Sequence, residues 1–588
     1  MVEVFIILSI QRYIAEHSLN MEKLIFAIQI RIYDYADGLF DLPRTILWRL
    51  KKKRSLMRTA FRGKFNSLFL ANAGLFATIF IYAAYLRFYD AFAHAAPAMS
   101  DAYVTLAWMK YINGRILFHD GIYPQGFHII LATLQKFAAI DALYVLKYTG
   151  PLNGLLISTG IYYFVSRLSG RVQPGIAGFL IYGVLGMFTS QEWARQASTN
   201  SQEFAFVFIL PAFYLLYQYM KTAKISALWA GTTAVCAAGL VHSLAFVYTG
   251  LGMGLLVLAS LVTDPRGYWK RACKVCLAGA ASVIVSIIPV GIGLLMGKPF
   301  HGSSADYLVQ KSYYLTVPDL GILDYCALFS MLFVLLYFTF CKKQAGEKLA
   351  ELFVLLLGLG TFAIYYWGGI LTHSVMVSSR AGALWALTVP VCVGMGWSVF
   401  SKLIPERKRS IAEVVLTGSL LCFIIFSLKP APVIPYKMEH DSSVEQYLRI
   451  SRTFRPTEWM IVSQEEGYAL VYGKGYHLMM QDFLAWYNPE EKKLTRWVNG
   501  TPEVLVTPDI FIYEEKRIFR ADLETLNKIY ERREREKAEL AAWLRRYRAC
   551  HDNISIFYED DDLRIWHIHQ PPTREETFRK IWEGGGGT

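Results

Sequence analysis

The chain has 588 residues, 54% of them hydrophobic and 18% charged, with a mean hydropathy of +0.30, which is too apolar for a soluble protein of this length and identifies an integral membrane protein. The net charge of +13 would suit nucleic acid. However, the basic residues collect in loops between apolar runs, where membrane topology accounts for them and no nucleic-acid partner is implied.

Taken in chain order, segment 1–65 opens with MVEVFIILSI and MEKLIFAIQIRIYDYADGLF. Both stretches are too short or too mixed to span and read as amphipathic helix on the inner leaflet. A basic hinge from Lys51 to Arg54 follows, which favours anionic membrane lipids. From Asn66 to Leu428 about eleven stretches have the roughly 20-residue apolar length that crosses a bilayer. They begin near Asn66, Tyr144, Gly175, Gln202, Ser226, Ser243, Cys273, Leu320, Leu349, Ala381 and Ile411. Every second loop is basic, as at Arg167 and Arg171, Lys221 and Lys224, and Arg266 to Lys274. Because cytoplasmic loops carry the Lys/Arg excess, the N-terminus is expected inside and the tail outside a plasma membrane. Of eight cysteines only Cys550 lies in the tail, so no disulfide framework is implied.

Two regions on the outer side are long. In the first loop, 90–143, the run DAYVTLAWMKYI has helical apolar spacing, and Gly126 to Ile140 reads as a second shallow helix. In the tail, 429–588, strand-like WMIVS, YALVYG and VLVTPDIFIYEEK precede a charged helix from about Asp522 to Arg548. ISIFYEDDDLRIWHIH then reads as a hairpin. The expected architecture is a mainly α, polytopic transmembrane bundle with a small extracytoplasmic α/β C-terminal domain.

Asp101 follows the first span directly, at the water–lipid boundary, where a carboxylate is costly to desolvate and is commonly kept for chemistry or for a cation. Glu192 and Glu203 bracket the second outer loop, SQEWARQASTNSQEF, which also carries Arg195. Carboxylates from different loops are what a divalent cation, magnesium or manganese, needs, so Asp101 and Glu203 are its candidate ligands. Arg380 begins a span from the outside, where a guanidinium can grip a phosphate through paired hydrogen bonds; Lys147 is a further candidate for that anion. Tyr123 and Gln125 in the YPQG segment, and His242 and His373 near the outer boundary, complete the set. Each also has a bland alternative: a wet loop carboxylate, a snorkelling cation, an interfacial histidine. In the tail, Glu465 and Glu466 read as a turn. His567 and His569 share a strand face, but two ligands do not make a metal site.

At these residues the sequence resembles the membrane glycosyltransferases of the GT-C superfamily. SDAYVTLAWMKYINGRILFHDGIYPQGFH is similar to their first outer loop, with its leading acidic residue and later YP-x-G segment. QASTNSQEFAFVFILPAFYLLYQY is similar to the second acidic motif of the oligosaccharyltransferase catalytic subunit, and VSSRAGALWALTVP to its phosphate-binding arginine segment. Two departures stand out: the second motif offers Asn200, Gln202 and Glu203 in place of a tight acidic pair, and the tail lacks WWDYG. The resemblance implies transfer of a sugar from a polyprenyl-phosphate donor to an extracytoplasmic glycan, lipid or protein in the cell envelope, with inversion. Asp101 would be the base, and Arg380 the partner of the departing phosphate. En bloc oligosaccharide transfer to a protein is the nearest alternative. A transporter or lipid flippase is the rival from another class, predicting repeat halves and midplane ionisable residues.

Overall fold

The computed structural model describes residues 67–189, 193–340, 348–464, 474–498, 501–504, 507–520 and 527–570. The chain divides into two compact units, Met1–Gly74 and Leu75–Thr588. The expected N-terminal amphipathic segment, Glu192, Glu465, Glu466 and the YALVYG strand lie outside the described residues.

A helix occupies each of the eleven apolar stretches read from the sequence. They are α1 Ser67–Ala93, then, after two loop helices α2 Met99–Asn113 and α3 Gly126–Ala138, α4 Ala142–Ser169, α5 Val172–Gly183 and α6 Ser201–Thr222. Helices α7 Ile225–Val241, α8 Ser243–Thr263 and α9 Pro265–Leu295 follow. After a short α10, Gly302–Val309, come α11 Ile322–Phe340, α12 Leu349–Ala363, α13 Val375–Phe400 and α14 Glu406–Phe423.

Among the described residues, eight of the eleven are long and apolar enough by themselves to cross a membrane, which makes this a multi-pass membrane protein. The other three fall short for visible reasons. Helix α5 has 12 residues and α7 has 17, below the roughly 20 that a perpendicular crossing needs. Helix α4 is long at 28 residues, but Lys147, Thr149, Asn153 and Ser158 dilute its apolar run. The faces turned away from the bundle carry bare apolar side chains, such as Leu277, Ile284 and Leu295 of α9, as a lipid-facing surface requires.

The tail is a three-layer α/β fold. Helix α15, Asp441–Thr453, leads into β1 Trp459–Ser463, β2 Tyr476–Met479 and α16 Met480–Trp486. A small two-stranded ribbon, β3 Thr495–Val498 and β4 Thr501–Val504, precedes β5 Asp509–Glu515. Helix α17, Asn527–Cys550, and the hairpin β6 Ile554–Glu559 and β7 Leu563–His569 complete it. The five-stranded sheet has the order β2-β1-β5-β7-β6. Strands β2, β1 and β5 run parallel, and β7 is antiparallel to β5 and β6.

Period-2 alternation splits the sheet's side chains between two cores. Trp459, Ile461, Phe511, Tyr513, Leu563 and Ile565 face α15 together with Ala96, Tyr103 and Leu143 of the membrane half. Met460, Val462, Ile510, Ile512 and Ile568 face Leu540, Trp543 and Tyr547 of α17. The connector from α14 reinforces the first contact. Lys437 pairs with Asp90 at 2.6 Å, Asp441 with His94 at 2.8 Å, and the Met99 amide donates to the Tyr436 carbonyl at 2.9 Å.

Candidate functional site: a cavity between the outer loops

Asp101 sits in the first turn of α2, where the helix dipole favours a negative charge, and its side chain is 46% exposed. Glu203 sits in the first turn of α6 and is 2% exposed, with its backbone amide capped by the Asn200 side chain at 3.0 Å. Between them stands Arg195, on a short 3₁₀ turn from Ala194 to Ala197. Its Nε donates to Glu203 Oε1 at 3.1 Å, and its Nη1 pairs with Asp101 Oδ2 at 3.4 Å.

The turn that carries Arg195 is fixed from two sides. Arg87 of α1, fully buried, donates to the Tyr182 carbonyl at 2.7 Å and to Gln196 Oε1 at 3.1 Å, and lies over the Trp193 ring. On the other side α4 comes so close at Gly150 that a β-carbon there would meet the Ala197 carbonyl oxygen at 2.4 Å. Only glycine permits that approach.

Asp101, Arg195 and Arg380 line one cavity of about 410 Å³, together with Tyr123, His242 and Gln202. That volume falls within the range of about 300–1,000 Å³ typical of small-molecule sites. Glu203 lines a smaller cavity of about 50 Å³ behind it, which shares Arg195 and Arg380 with the first. The Arg380 guanidinium carbon lies 5.7 Å from the Tyr307 ring centroid, a cation–π distance.

The same cavity is also lined by a group of aromatic rings. The Trp108 ring lies 5.0 Å from Tyr123, 4.5 Å from His128 and 5.4 Å from His301. Trp108 is itself anchored by donating Nε1 to Asp120 at 2.8 Å. The loop before α10 brings His301 in through a short bridge, Ile122 paired with Phe300. At Gly121, φ is +103° and a β-carbon would meet the His301 backbone at 2.8 Å, so the residue has to be glycine. Burial pushes the His128 imidazole down to about 3 and raises the Tyr123 phenol, so both present neutral groups to the cavity near pH 7. Among the described residues, Glu203 Oε2, His242 Nδ1 and both amide atoms of Gln202 are buried with no hydrogen-bond partner.

The sequence expectations are thus met unevenly. Asp101, Arg195, Arg380, Tyr123 and His242 share the main cavity, and Glu203 stands immediately behind Arg195. Lys147 is apart, lining a separate small cleft with Arg87 and Asp90. Gln125 immediately precedes α3, and the His373 ring lies tilted against Tyr313 with centroids 4.5 Å apart; neither is among the residues lining the cavity. The place between Asp101 and Glu203 expected for a divalent cation is spanned by the Arg195 guanidinium, so this pair does not fit a metal in the arrangement seen. Sequence reasoning passed over Trp108, His301 and Tyr307. His301 stands just before the short helix α10 and Tyr307 lies within it, a segment of eight residues too short for an apolar period to mark.

A cluster outside the cavity has the ligand chemistry that Asp101 and Glu203 lack. Asp509, His567 and His569 of the tail bring three potential ligand atoms within 4.8 Å of one another.

No protein-family model and no curated protein matches the sequence. Among solved structures, the chain is similar to ArnT from Cupriavidus metallidurans bound to undecaprenyl phosphate, with a TM-score of 0.46 and 10% identity over 85% of this chain and 99% of that one. It is similar to the Archaeoglobus fulgidus oligosaccharyltransferase complex with Zn and sulfate, with a TM-score of 0.43 and 12% identity over 75% of this chain and 68% of that one. The arabinofuranosyltransferase AftD from Mycobacteria matches with a TM-score of 0.44 and 10% identity over 84% of this chain and 40% of that one. These three are GT-C glycosyltransferases.

Proposed function

We propose that this chain is a membrane glycosyltransferase that moves a sugar from a polyprenyl-phosphate donor to an acceptor hydroxyl on the outer face of the cell membrane. The observation that carries the reading is that Asp101 and Arg380, from helices far apart in sequence, line one cavity of ligand size that also holds the aromatic rings of Trp108 and Tyr123. All eleven helices are kept in the proposed topology, with segment 66–428 as catalytic unit and the tail from 429 on the same side as Asp101.

The chemistry follows from the leaving group. A phosphate departs as a stable anion and needs little acid assistance, so the demand falls on a base and on charge neutralisation. Asp101 takes the proton of the acceptor hydroxyl as its oxygen bonds to the anomeric carbon. The bond from that carbon to the phosphate oxygen breaks, and the electron pair leaves with the phosphate toward Arg380. Attack opposite the leaving group inverts the anomeric centre. Trp108, Tyr123 and His128 supply flat faces and neutral hydrogen-bonding groups for the sugar.

Arg195 replaces the expected cation. Held by buried Glu203, it fixes the position of Asp101 and adds positive potential beside Arg380. We therefore assign charge neutralisation to the two arginines, with no step carried by a metal between Asp101 and Glu203. The experiment is transfer of radiolabelled sugar from a polyprenyl-phosphate donor pool to endogenous acceptor in membranes with and without this chain. Transfer that depends on the chain supports the reading. Glycosylation unchanged by its deletion would favour a transporter.

A further inference from the structure

The tail carries a second constellation that the transferase chemistry does not use. Strands β5 and β7 pair antiparallel with Asp509 opposite His569 and Phe511 opposite His567. The two-residue period of a strand then sets Asp509, His567 and His569 side by side on one face at the end of the sheet. Asp509 Oδ1 lies 2.8 Å from His567 Nε2 and 2.8 Å from His569 Nδ1. The His567 ring is clamped flat on Phe511, with centroids 4.6 Å apart and planes 8° from parallel. The Asp509 side chain is 10% exposed and that of His567 19%, whereas His569 is 58% exposed and opens the cluster to solvent.

We propose that Asp509, His567 and His569 form a zinc site in the tail domain. Two imidazole nitrogens and a carboxylate oxygen are a usual zinc donor set, and the open side at His569 leaves a fourth position for water. Tetrahedral bonds of about 2.0–2.1 Å put neighbouring ligand atoms about 3.3 Å apart. The atoms here are already within 4.8 Å of one another, so small side-chain rotations suffice. Zinc would take the place of the hydrogen bonds from the two rings to Asp509, with the proton of each neutral imidazole carried on its other ring nitrogen. The bound ion would tie the end of β5 to the end of β7. The plain alternative is a hydrogen-bonded triad in which the imidazoles only satisfy a carboxylate. It predicts no affinity for metal, and the inference stands or falls independently of the transferase reading.

The test uses the full-length chain, purified in detergent without a polyhistidine tag, stripped with chelator and titrated with zinc against a competing chromophoric chelator. A single zinc equivalent is expected, and His569→Ala, a half-exposed position whose loss does not threaten folding, should weaken binding at least about tenfold. Cobalt substitution should give visible d–d bands without thiolate charge transfer, which separates this site from the exposed cysteines. Zinc should raise the unfolding temperature of the wild type and not that of His569→Ala. Equal zinc affinity in the wild type and His569→Ala, or no zinc bound by either, would overturn the proposal and leave the hydrogen-bonded triad.

Discussion

Arg195 donates its Nε to Oε1 of Glu203 at 3.1 Å, a contact in which the carboxylate side chain is 3% and the guanidinium 16% exposed. The pair works as a support: Glu203 faces the back of Arg195, and the front of Arg195 meets Asp101 at 3.4 Å. Removing one partner of such a pair leaves a poorly solvated charge, with a cost of about 3 kcal/mol. Glu203→Ala should therefore lower both thermal stability and sugar transfer. Glu203→Gln, which keeps an acceptor for Arg195, should keep most of the stability while still reducing transfer. Unfolding temperature and transfer rate measured on both variants check this, and full transfer by Glu203→Ala would contradict it.

If the arginines carry the charge neutralisation, transfer should survive removal of divalent cations. Membranes treated with chelator are expected to retain most of their activity. Loss of activity that magnesium or manganese restores would reinstate a metal at Asp101 and Glu203. The tail cluster could confuse the result through stability, so His569→Ala should be treated alongside; restoration there by magnesium would still point to the cavity.

Arg380 faces the position assigned to the departing phosphate, so its loss should act on the chemical step. Arg380→Ala is expected to lower turnover by about a hundredfold or more, the scale seen on removing one transition-state donor. Arg380→Lys should recover only part of it, because a point charge lacks the paired geometry of a guanidinium. A rise in apparent KM with unchanged turnover would instead make Arg380 a binding residue alone.

Acid should destabilise the fold through buried histidines. Burial pushes His128 down to about 3 and His477 of β2 down to about 4. In the unfolded chain both titrate near the ordinary value of about 6.5. Between those limits the unfolded state binds the extra protons, so stability is fully present above about pH 6.5 and is lost as pH falls toward the folded values. The unfolding temperature should drop between pH 7 and pH 5, and His128→Asn should show a shallower drop. Identical slopes for the variant and the wild type would remove His128 from the account.

Much of this arrangement was legible in the sequence, and the misses have physical causes. Apolar length marked each of the eleven helices, yet it does not fix where a helix stops, and α5 ends after 12 residues. Strand alternation marked β1, β5 and the final hairpin. Asp101, Glu203 and Arg380 were visible because a charge beside an apolar run stands out. Lys147 stood out for the same reason but joins Asp90 and Arg87 elsewhere, since periodicity gives the boundary and not the azimuth around the bundle. The central place of Arg195 depends on Arg87 and on the gap at Gly150, contacts that no local pattern records. Asp509 was invisible as a partner of His567 and His569 because the register of β5 on β7 decides it.

The most direct test of the central claim is sugar transfer by Asp101→Asn. The substitution keeps the size and the hydrogen-bonding shape at a half-exposed position, so expression and unfolding temperature should match the wild type. It removes the oxygen that accepts the acceptor's proton, and the transfer rate should fall by about a hundredfold or more, the usual scale for general acid–base catalysis. Near-normal transfer by well-folded Asp101→Asn would contradict the account.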